Sequence, residues 1–158
     1  MAIASPGATL RDEQQLIASL LEVMKQEQQF LVSADADGLA SLTPEKLKLA
    51  QQAGALSRMR HKALDAAGFA ADETGMEPWL AVGGNAGARA DWDRLLDLSR
   101  QAKELNRVNG MLVSKQLAHT TGALNALRGI QGAAGTGGMY GASGQTLGGG
   151  PSRRFVAG

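Results

Sequence analysis

Leu10, Ile17, Met24 and Leu31 recur every seven residues, with Leu20 and Leu21 filling the intermediate rows. A repeat of that period draws one narrow apolar stripe along a helix and leaves Glu, Gln, Lys and Arg on the opposite face, so the segment must find a partner helix. Thr9 followed by Asp12 resembles a capping box, which starts the helix there and sets an acid in its positive first turn. A helix over 10–33 spans about 35 Å, a length typical of a coiled hairpin. The chain has three Phe, two Trp and one Tyr, so its core must be built mainly from Leu, Ala, Val, Ile and Met, which favours helices over a β-sandwich.

Asp35, Asp37 and Gly38 in ADADG break the pattern as turn formers. Thr43-Pro44 reads as a cap followed by proline at the first helical position, where its missing amide costs nothing, and predicts a second helix over 44–67. Its seam runs Leu49, Ala53, Leu56, Arg60, Ala63 and Ala67, with Arg60 a charged intruder and Gly68 the residue beyond the end. Residues 68–90 contain five glycines and a proline, which marks a loop pinned by Trp79 and Leu80, with EPWLAV able to form one short turn. A third helix is predicted over 91–127, opening near Asp91 and Asp93 and carrying Trp92, Leu95, Leu96, Ala102 and Leu105 inward. From Gly129 eleven of thirty residues are glycine, too few apolar groups to repay chain ordering. The expectation is an all-α fold: an antiparallel helical bundle or coiled-coil hairpin of three long helices over 1–128, then a flexible Gly-rich tail over 129–158.

The chain has no cysteine, which removes disulfides, thiolate nucleophiles and Cys-type zinc sites together. His61 lies in RMRHK, a solvated basic face on the simpler reading, and His119 has no companion one turn on, so neither an enzyme nor a metal site is expected. GGNAG and GTGGMYGASG follow no predicted strand and lack the Gly-Lys-Ser/Thr ending of a phosphate cradle. No nucleotide or other cofactor is implied. The N-terminus lacks a signal-peptide pattern and no apolar run reaches membrane-spanning length, so a soluble, unexported, non-membrane protein is expected. All 15 acids precede residue 105, against 11 Lys/Arg there, while the remainder has five Lys/Arg and no acid. Five cations over that length are too dilute for a nucleic-acid groove, but they suit a partner-facing end.

Asn106 and Asn109 bring two amides to the third helix, with Gly110 directly behind the second. A seam amide penalises any register that leaves it unpaired, so the pair is expected to fix alignment with Arg60 and Trp92, Asn106 being the one open to a position facing water. Gly110 is expected to let a neighbour approach closely. Leu112, Val113, Leu117, Leu124, Leu127 and Ile130 continue as an apolar stripe beyond the ends of the other helices. Something should cover it, either a partner helix or a second copy of the chain.

The ordered set Leu39, Leu42-Thr43, Lys46, Leu49, Leu56 and Arg60 before Gly68, then Trp92, Leu95, Leu105, Asn109-Gly110 and Leu112, then Tyr140-Gly141 and Gly144-Gln145, resembles the flagellar export chaperone family FlgN over most of the chain. That resemblance implies a cytoplasmic, helical chaperone without ATPase activity that holds hook-associated proteins by their C-terminal helical ends. The client would lie against Asn109, Leu112, Val113, Leu117, Leu124, Leu127 and Ile130. It also implies that Tyr140 docks on the cytoplasmic domain of the export gate. The alternative is a structural coiled-coil subunit in which the same stripe forms a homo-oligomer.

Overall fold

The computed structural model describes residues 4–83 and 85–136. They form α1 (Leu10–Val32), α2 (Ala36–Ala66), a 3₁₀ turn (Glu73–Gly75), α3 (Met76–Val82) and α4 (Ala86–Thr136), and no strand occurs among the described residues. The fold is all-α, with α3 a fourth helix where one short turn was expected. The chain divides into two compact units, Met1–Val113 and Ser114–Gly158.

In the first unit α1 follows its heptads. Leu10, Leu21, Met24 and Leu31 are buried, and Ile17 and Leu20 are partly so. The Thr9–Asp12 capping box does not form. Thr9 has helical dihedrals and makes no side-chain cap; its hydroxyl donates instead to Glu13 Oε1 at 2.6 Å.

The break after α1 is confined to Ser33, Ala34 and Asp35, Ala34 taking a φ of 54°. Asp35 Oδ1 then accepts the Gly38 amide at 2.9 Å, so α2 starts at Ala36 rather than Pro44. Pro44 lies inside the helix, where it withholds the amide due to the Ala40 carbonyl. Thr43 is not a cap: its hydroxyl donates back to the Leu39 carbonyl at 3.1 Å. Gly38 is required where it stands, because a Cβ there would lie 2.7 Å from the Phe30 ring.

Lys46 meets Glu27 at 2.9 Å and Arg60 meets Glu13 at 3.0 Å, so α1 and α2 run antiparallel. Between Leu42 and Arg60, however, α2 has no buried residue, and its expected seam positions Leu49, Ala53 and Leu56 are half-buried. Ala67 is exposed.

Asn85 opens α4, its Oδ1 accepting the Ala88 amide at 2.7 Å, one and a half turns before the expected acids. Asp91 serves α1 instead: its carboxylate accepts from Arg11 Nε at 3.1 Å and its carbonyl from Gln14 Nε2 at 2.7 Å. Farther along, Asn109 reaches Met24 and Glu27, so α4 within this unit runs in the same direction as α1. Two apolar clusters result: Leu10, Leu64, Met76, Leu80, Trp92 and Leu95, then Leu21, Met24, Leu98 and Ala102. Leu80 anchors the connecting segment as expected, with Trp79 packed against the first cluster and Met76 buried beside it. Gly75 makes the tight approach there, since a Cβ would collide with the Ala70 carbonyl oxygen.

Gly110, expected to admit a close neighbour, faces open space, as does Gly122. The helix continues past the expected end at 127 to Thr136, so Gly129 and Gly132 are helical. The rest of the predicted tail, with Tyr140, lies outside the described residues.

Candidate protein-binding surface

Of the residues expected to set register, Arg60 and Trp92 are each 2% exposed and Asn109 is 3% exposed, whereas Asn106 is at the surface. Arg60 Nε and Nη2 donate to the two Glu13 oxygens at 3.0 and 3.1 Å, and Nη1 and Nη2 donate to Glu73 at 3.1 and 3.0 Å. Its guanidinium carbon lies 4.9 Å from the centroid of the Trp92 ring. Burial pulls the Arg60 pKa down, but the hydrogen bonds and charges of Glu13 and Glu73 outweigh it and hold it above its ordinary value. Burial likewise pushes Glu73 up. Arg60 overrides this, aided by His61 Nε2 at 3.2 Å from Glu73 Oε1, and holds that carboxyl below the usual range. These charges are held by one another, an arrangement that locks α1, α2 and the 3₁₀ turn together rather than moving protons.

Glu13 and Glu73 are the partners of Arg60 that sequence reasoning missed. Glu13 sits three residues after Leu10 and four before Ile17, on the stripe itself, and a seam arginine calls for a seam acid. Glu73 had no such signal, because it arrives on a loop.

Asn109 Nδ2 donates to the Met24 carbonyl at 2.9 Å and to Glu27 Oε2 at 2.8 Å. The residue expected at the edge of the client surface is therefore turned into the seam. Leu112 is half-buried and Val113 is 42% exposed, both in the first unit.

The second unit presents a different surface. Over Ser114–Thr136 the chain is helical, and Leu117, Leu124, Leu127 and Ile130 are exposed at 62%, 49%, 55% and 66%. Leu117, Leu124 and Leu127 are spaced by seven and three, which lines them along one face. The only ionisable residues in this stretch are Lys115, His119 and Arg128. Leu117, Leu124 and Leu127 are thus large aliphatic side chains on one exposed helical face, with Ile130 exposed one turn farther on and no acid in the stretch.

Among the described residues no group of three His, Asp or Glu is placed to hold a metal ion, and no helix is long and apolar enough to cross a membrane. A family model described as FlgN protein matches residues 1–148. No curated protein matches the chain, and no solved structure does.

Proposed function

The chain belongs to the FlgN family, which fits flagellar assembly and type III secretion as a chaperone family, and from that membership we propose that it holds hook-associated proteins for export. The observation that carries the proposal is the exposed face of Leu117, Leu124, Leu127 and Ile130. The client lays the apolar side of its C-terminal helix on that face. Each aliphatic group covered contributes about 1.5–3 kcal/mol before ordering costs, enough in sum for a reversible complex. Leu112 and Val113 precede that face in the sequence and are the client-contacting residues proposed for the first unit, where Asn109 holds α4 against α1. No step in this binding calls for nucleotide or another cofactor, and the complex forms in the cytoplasm before secretion.

Tyr140 belongs to the same reading as the residue that docks the loaded chaperone on the export gate. Tyr140→Ala leaves client affinity unchanged and weakens binding to the cytoplasmic domain of the gate. Equal gate binding by calorimetry removes Tyr140 from that role.

Calorimetry with the C-terminal peptide of a hook-associated protein tests the client surface. Leu124→Glu with Leu127→Glu lowers affinity at least about 100-fold, the equivalent of about 3 kcal/mol. Unchanged affinity contradicts the assignment. If the parent chain forms a tight, concentration-independent oligomer that the same double substitution dissolves, the face joins copies of this chain instead.

A further inference from the structure

The middle of α2 is poorly covered. From residue 43 to residue 59 none of its side chains is buried, and the second apolar cluster at that level is made by α1 and α4 alone. Two cavities of about 280 and 250 Å³ lie along it, and both include Lys103 in their walls. They form one groove between α2 and α4 with Ile17, Leu20 and Met24 as its floor. From Lys46 to Arg60 on α2 the groove runs about 21 Å. Its α2 wall is Ala50, Ala53, Gly54 and Ser57, small residues that let another backbone come close.

The side chains around the groove say what enters. Trp92, a wall of the larger cavity, is 2% exposed and its indole N–H is without a hydrogen-bond partner. That nitrogen is sealed from solvent, so Trp92 serves as a reporter in the cavity wall and not as a contact for what enters. The ionisable residues around the groove are also unevenly matched. Glu13 and Glu73 are bound to Arg60, and Lys46 is bound to Glu27. Lys103, central to both cavities, has no carboxylate partner among the described residues. We infer that the groove between α2 and α4 docks a helix of a partner protein, apolar and small on its inner face, that delivers one carboxylate to Lys103. This site lies wholly within Met1–Val113, whereas Leu117–Ile130 belongs to the second unit.

Gly54 provides a clean block. A Cβ there meets only the Arg58 guanidinium, 3.4 Å away, so a larger side chain enters the groove without disturbing the backbone and improves helix propensity. The probe is a capped helical peptide of about 16 residues, Leu and Ala on one face with a single central Glu, alongside its Gln counterpart. It is titrated into the nitrogen-15-labelled full chain, with Trp79→Phe assigning the indole signals. The Glu peptide is expected to shift the Trp92 indole resonance. The Gln peptide and the Lys103→Gln protein each weaken binding about fivefold or more, and Gly54→Leu abolishes it. Leu124→Glu with Leu127→Glu leaves this titration unchanged. An unmoved Trp92 resonance, equal binding by Gly54→Leu, or no binding at about 1 mM peptide overturns the inference.

Discussion

Arg60 shows how one residue joins three elements. A guanidinium at 2% exposure is tolerable only because two carboxylates and an indole face surround it. Removing one partner leaves buried charge behind, so Glu13→Ala should cost about 3 kcal/mol in urea unfolding, and a loss under about 1 kcal/mol would show that Glu73 suffices alone. Glu73 also gives the fold a pH dependence. Its folded pKa lies below its unfolded value, so the folded state binds its proton less readily. Its stabilisation is fully present above the ordinary carboxylate range and is lost as pH falls through the depressed folded value. Glu73→Gln should flatten that acid limb; an unaltered slope would place the titration elsewhere. Two glycines give opposite signs. Gly110→Ala should add about 1 kcal/mol, because its Cβ enters open space on a helix, whereas Gly38→Ala should cost about 1–3 kcal/mol by pressing on Phe30. Thermal melts of the two variants moving in the same direction would contradict these contacts.

At the scale of elements, the start of α2 is the sharpest case. A helix beginning at Pro44 would carry its proline free of cost, but in a helix running from Ala36 the same residue breaks the interior ladder. Pro44→Ala should therefore stabilise the chain by about 2 kcal/mol, and no gain would favour a separate start at Pro44. The first helix was legible because its heptads and its polar face agree over many turns. The second was legible in its seam but not in its beginning: Asp35 and Thr43 are both good caps, and local sequence cannot rank them. The start of α4 hid among glycines, where Asn85 is the one residue with the chemistry of a cap. Arg60, Trp92 and the apolar face at Leu117–Ile130 could be picked from periodicity. The inward turn of Asn109 and the outward turn of Asn106 could not, since three residues on a helix separate faces by an angle too small for a pattern to divide seam from edge. Glu73 depends on a loop path that no periodicity encodes.

For the molecule as a whole, the two units differ in kind. Met1–Val113 buries two apolar clusters and a charge lock, while Ser114–Thr136 carries large aliphatic groups in the open. Exposed apolar surface of this sort marks a place where something else binds. A family that escorts flagellar proteins supplies that reason. The central claim is that this face is open until a client arrives. Hydrogen exchange of the full chain, alone and with a hook-associated protein, measures it directly. The account predicts that amides of residues 114–133 gain protection when the client is added, while those of α1 hold their values. Equal protection of 114–133 with and without client would mean that the face is already covered, and would contradict the account.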